Sequence, residues 1–160
     1  MKIMWMVIAG GLTFTAFAAG AQEYRAGTLT AGNAWSRPTS GPNKLGAAYL
    51  TLKNTGQEAD TLQSVSSSDA ERVEIHEHTQ DAQGIMRMRP VGGGLQIPAG
   101  GTVEFKPGGY HLMLIGLKHN LEEGQQIPLK LHFARAGDLD IEVKIEKKPA
   151  GMSGMDDHKG

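Results

Sequence analysis

The chain has 160 residues, 39% of them hydrophobic and 21% charged, with 22 Gly, 8 Met, 6 His and no Cys; this suits one domain of ordinary size and leaves no room for a second. Sixteen basic and seventeen acidic side chains give a formal charge of -1, which excludes the broad positive footprint of a nucleic-acid or anionic-lipid binder. Without cysteine there is no disulfide scaffold, thiolate zinc site, CxxC carrier motif or thiol nucleophile, so soft-metal chemistry falls to Met and His.

Lys2 is the only charge before Glu23, and the apolar run Ile3 to Ala18 leads into Ala19-Gly20-Ala21. Residues 1–21 therefore read as an export signal cleaved after Ala21. The competing reading is an uncleaved anchor, because about 18 apolar residues just span a bilayer; the lone positive flank and the small-residue exit favour cleavage. Residues 22–148 form the expected folded domain. Strands are predicted over Leu45–Leu52, Thr61–Val65, Val73–His78, Ile85–Arg89, Thr102–Phe105, Tyr110–Leu117, Ile127–Phe133 and Leu139–Ile145. The last two alternate strictly between apolar and polar residues. Between the strands lie Asn54-Thr55-Gly56, Gly92-Gly93-Gly94, Pro98-Ala99-Gly100-Gly101 and Pro107-Gly108-Gly109, the chemistry of turns. The fold class is all-β, an antiparallel β-sandwich of immunoglobulin-like or cupredoxin-like kind. Residues 149–160 have no apolar face to bury and read as a disordered tail.

Strand periodicity places His111 and Met113 on one face and Tyr110, Leu112 and Leu114 on the other. His76 and His78 fall opposite the apolar Val73 and Ile75, while Met86 and Met88 share a face against Arg87 and Arg89. Any one of these Met residues taken alone reads as core filler, and His119 and His132 read as wet or hydrogen-bonded. Their coincidence within a short stretch, in pairs at chelating spacing, points to a metal. Thioether and imidazole together favour Cu(I) over Zn(II), Mg(II) or Ca(II), and the missing thiolate excludes a blue-copper electron-transfer centre. Neutral donors release no proton on binding, which suits transfer of the ion by ligand exchange.

The runs Val73-Glu74-Ile75-His76-Glu77, Gly84-Ile85-Met86-Arg87-Met88-Arg89-Pro90, Ile97-Pro98-Ala99-Gly100-Gly101 and Lys106-Pro107-Gly108-Gly109-Tyr110-His111-Leu112-Met113-Leu114 resemble the PCuAC family of periplasmic copper chaperones. Ala34-Trp35-Ser36-Arg37-Pro38 and Ala47-Ala48-Tyr49-Leu50-Thr51-Leu52 resemble its N-terminal strands, so the likeness covers almost all of the mature domain. It implies Cu(I) bound by His76, Met88, His111 and Met113. It also implies a periplasmic monomer that inserts in no membrane after signal cleavage and delivers copper to cytochrome c oxidase subunit II at its CuA site, directly or with a Sco-type protein. The interval from His76 to Met88 is twelve positions, one more than in the family motif, which lengthens the loop through Thr79-Gln80-Asp81-Ala82-Gln83. Met86 is the alternative thioether. His78 is either an auxiliary donor or a solvent-facing residue. The tail residues Met152, Met155 and His158 resemble the Met/His-rich extension of some members, with His158 and Asp156 or Asp157 offering harder donors for Cu(II).

Two other classes compete with the chaperone reading. One is a copper-buffering or resistance protein without a fixed recipient; the other is a structural or adhesive sandwich in which Met and His merely pack. No Gly-x-Ser-x-Gly elbow, phosphate loop or His-Glu-x-x-His motif supports an enzyme. Asp and Glu fall on outward strand faces and read as solvated.

Overall fold

The computed structural model describes residues 22–147; the expected signal peptide and the tail with Met152, Met155 and His158 lie outside the described residues. Eleven strands run in chain order: β1 Glu23–Ala26, β2 Leu29–Ser36, β3 Leu45–Asn54, β4 Asp60–Ser66, β5 Ala70–Gln80, β6 Met86–Pro90, β7 Leu95–Ile97, β8 Thr102–Glu104, β9 His111–Leu117, β10 Gln126–Phe133 and β11 Gly137–Ile145. The eight expected strands are β3, β4, β5, β6, β8, β9, β10 and β11.

The strands join in the order β2-β11-β10-β4-β5-β9-β3, and β3 pairs back onto β2. The two layers are therefore one closed hydrogen-bonded ring, with β1, β6, β7 and β8 attached at its margins. Closure depends on β11 running parallel to β2, through Lys144 opposite Trp35 and Ile145 opposite Ser36; the other strand pairings among the described residues are antiparallel. Closing the ring removes free edges that would otherwise present unpaired backbone groups.

Inside the ring the period-two alternation supplies the core. Ile127, Leu129, Leu131 and Phe133 of β10, Leu139, Ile141, Val143 and Ile145 of β11, Leu112 and Leu114 of β9, and Leu50 and Leu52 of β3 share one core. On β9 the alternation breaks at Gly116, whose φ of 68° is a left-handed conformation that glycine adopts without strain. The break turns Leu117 inward as well, so β9 ends with a core residue on the parity that had faced outward.

Asp60 and Asn54 are buried polar residues with full sets of partners. Asp60 is 4% exposed and accepts hydrogen bonds from the backbone N–H groups of Thr61 at 2.8 Å, Arg135 at 2.9 Å and Ala136 at 2.9 Å. It ties the β10–β11 turn to the start of β4. The expectation that acidic residues are simply solvated fails here, because the turn needs an acceptor for donors that no strand partner reaches.

Candidate metal centre

β6, β5, β9 and β3 lie side by side, and outward-pointing residues at paired positions meet on one surface. Across β5 and β9, His76 pairs with His111 and Glu74 with Met113. Across β5 and β6, His78 pairs with Met88 and His76 with Pro90. Met113 faces Ala47 on β3. The ladder therefore brings donors from three strands to one patch.

His111 is the hub. It is 4% exposed, its ring centroid lies 5.6 Å from that of His76 and 5.1 Å from that of His78, both edge-on, and its Nε2 lies 3.0 Å from Met88 Sδ. Its Nδ1 faces the Gly109 carbonyl at 3.4 Å. The carbonyl and the thioether both only accept, so the single N–H of the neutral ring serves one of them, and the Met88 contact sets Nε2 and Sδ, two metal-ligating atoms, side by side. On His76, Nε2 lies 2.8 Å from Glu74 Oε2, while Nδ1 is buried and has no hydrogen-bond partner. An orphaned buried ring nitrogen costs free energy unless something occupies it, and a metal ion would.

Met88 is 48% exposed and Met86 55%. Met86 pairs with Gln80 at the far end of the hairpin, away from the His76–His111 pair. Met113 is half-buried and lines a cavity of about 300 Å³ with Arg37, Pro38, Leu45 and Tyr49. The structure thus gathers His76, His78, His111 and Met88 closely and sets Met113 on the same face beside them. The longer loop after His76 is absorbed in the β5–β6 hairpin: Asp81 accepts from the backbone of Gln83 and Ile85 and pairs with Arg87. The reading of Met86 and Met88 as core filler fails, since all five residues of β6 are exposed. His119 and His132 are outside the patch, bonded to Asp69 and Asp138.

Burial pushes the His111 imidazole below the ordinary histidine value; the Gly109 carbonyl opposes this, and the neighbouring His78 and His76 add to it. The folded state thus disfavours the imidazolium, so His111 stays neutral as pH falls through the range where free histidine protonates. The C2–H NMR titration of His111 in the metal-free protein is expected to have its midpoint below about 6.5. The midpoint for His119, held up by hydrogen bonds to the Asn120 carbonyl and to Asp69, is expected above it. Among the described residues no group of three or more His, Cys, Asp or Glu is placed to hold a metal ion. The donor set is mixed imidazole and thioether, which selects for a soft monovalent ion and against hard divalent ones.

Residues 29–145 match the LpqE-like family, and the chain belongs to it, the family of the PCuAC copper-chaperone domains. Two relatives are Lxx21020 of Leifsonia xyli subsp. xyli, 37% identical over 62% of this chain, and RP573 of Rickettsia prowazekii, 32% identical over 69% of it. The matched regions span 60% and 62% of those proteins. Among solved structures, the copper-bound PCuAC domain from PmoF2 superposes with a TM-score of 0.67 at 22% identity, over 79% of this chain and 99% of that one. The Cu(I) form of DR1885 from Deinococcus radiodurans superposes with a TM-score of 0.58 at 26% identity, over 81% of this chain and 84% of that one. The fold is the cupredoxin-like one of those domains.

Proposed function

We propose that this protein is an exported copper chaperone that carries Cu(I) on His76, Met88, His111 and Met113. The observation that carries the reading is a pair of histidine nitrogens on paired positions of β5 and β9: His76 Nδ1, buried without a partner, and His111 Nε2, in contact with the Met88 thioether at 3.0 Å. Both are neutral donors, and two thioethers complete a neutral set suited to Cu(I). Kinship with PCuAC domains, including one solved with Cu(I), supports copper as cargo. Delivery to the CuA site of cytochrome c oxidase, in the periplasm and with a Sco-type thiol protein as an alternative contact, is the role that this kinship favours. A second copper on the tail residues Met152, Met155 and His158 is part of the same proposal.

Anaerobic Cu(I) titration against a competing chelator tests it. One equivalent is expected to bind to a chain ending at Lys147, and Met113→Leu, which keeps apolar volume and removes sulfur, is expected to weaken that equivalent by about tenfold or more. If the shortened chain and its Met113→Leu variant bind equally weakly, the folded site is not the copper carrier.

A further inference from the structure

Alternate residues of a strand share a face, so Arg72, Glu74 and His76 line up outward along β5. Glu74 bridges its two neighbours. Arg72 Nε donates to Glu74 Oε1 at 2.8 Å, and His76 Nε2 meets Glu74 Oε2 at the same distance. Each carboxylate oxygen is thereby engaged, one by a guanidinium and one by an imidazole. An ionised carboxylate only accepts. The hydrogen between them therefore belongs to His76 Nε2, and in a neutral ring the lone pair must then lie on Nδ1, the buried atom with no partner.

We propose that Glu74 is the positioning residue of the metal site: it fixes His76 as the Nε2–H tautomer, so that Nδ1 is the atom offered to copper, and Arg72 fixes Glu74 in turn. The proposal rests on the Cu(I) reading of the site. It has a second consequence, that the two histidines bind through different nitrogens, Nδ1 at His76 and Nε2 at His111. A wrong tautomer at His76 would point an N–H at the ion and remove one donor from the set. Ligand histidines held by a carboxylate in this way commonly lose about 10–100-fold in metal affinity when the carboxylate is removed.

The two parts are separable by experiment on the whole chain. Long-range 15N–1H NMR of the metal-free protein, at a pH where the rings are neutral, reads the tautomer without copper. Wild type is expected to show His76 as Nε2–H; Glu74→Gln, whose amide can donate as well as accept, is expected to show a mixture. In parallel, Glu74→Gln is expected to weaken Cu(I) binding by about 10–100-fold with the thermal midpoint unchanged. Arg72→Gln is expected to show a smaller loss, and Glu74→Asp, which keeps the charge with a shorter reach, one between wild type and Glu74→Gln. A wild-type Nδ1–H tautomer, or one unaffected by Glu74→Gln, overturns the proposal whatever copper does. A changed tautomer with Cu(I) affinity within twofold of wild type overturns its metal half. Absence of Cu(I) binding by wild type and variants alike, with the tautomer difference intact, overturns the copper reading and that metal half together.

Discussion

Replacing His111 by Leu is expected to raise the Cu(I) dissociation constant by more than the roughly 100-fold that losing an outer partner of a ligand costs, while leaving the fold as stable as before. His111 touches every other close member of the patch: the rings of His76 and His78 and the Met88 sulfur all face it. Leucine keeps the apolar volume and removes both nitrogens. The fold loses little because the His111 side chain has only a long bond to the Gly109 carbonyl and a contact to a weak sulfur acceptor, and because burial already disfavours its charged form. The stability change is expected to stay within about 1 kcal/mol. Chelator competition and thermal melts on the same preparation decide it. A large fall in melting temperature would mean that His111 is a packing residue and that any copper loss is indirect.

Asp60→Ala is expected to do the reverse, destabilising the domain by about 3 kcal/mol and lowering the melting temperature by on the order of 10 °C, with one Cu(I) still bound by the folded fraction. Three backbone N–H groups, from Thr61, Arg135 and Ala136, lose their acceptor at once. Each orphaned donor costs about 1–3 kcal/mol when water cannot reach it. The adjoining cavity, lined by Thr28, Gly56 and Arg135, admits some solvent and keeps the sum at the lower end. Asp60→Asn should fall between, since its amide oxygen can still serve the Thr61 and Arg135 donors while its NH2 group confronts the Ala136 backbone N–H. Urea melts of the three proteins would order them; equal midpoints would show that the turn holds without the carboxylate.

Much of the architecture was legible because the chain obeys simple periods where it packs. In β10 and β11 every second residue enters the core, and a period of two is all that a reader needs. β2 was legible only through its likeness to family strands at Trp35, because its pattern is irregular: Leu29, Thr30 and Ala31 are all buried, Asn33 has a φ of 52°, and the pairing with β3 shifts register between Gly32 and Trp35. β7 has three residues and follows a run of glycines. Ring closure through a parallel β11–β2 pair has no local signature, since nothing in either strand states its partner.

The metal patch was legible in part. Same-face spacing put His111 with Met113 and Met86 with Met88, and the family motif chose among them. Register between strands is what seats His76 against His111 and Met88 against His78, and it is set by the barrel as a whole. The part played by Glu74 was missed because an outward carboxylate on a strand is ordinarily solvated. The available signal was the run Arg72-x-Glu74-x-His76, a carboxylate flanked on one face by a guanidinium and an imidazole that it attracts.

The thioether of Met88 sits on a strand that contributes nothing to the protein's interior. All of β6 is exposed; among the described residues its strand ladder is with β5 alone, supplemented by the contact of Met88 Sδ with His111. Segments of this kind swing open at a small fraction of the free energy of unfolding. In the proposed site the grip on copper would therefore be asymmetric, with His76, His111 and Met113 rooted in the barrel wall and the Met88 sulfur on a hinged arm. If the protein hands copper to a recipient as proposed, that recipient would replace the arm's donor first, while the other three ligands still hold the ion, so copper would not be free in solution during hand-over. The residence time of the ion would then follow the swing of the arm, and tightening the barrel's core would lengthen the life of the protein without slowing the release of its load.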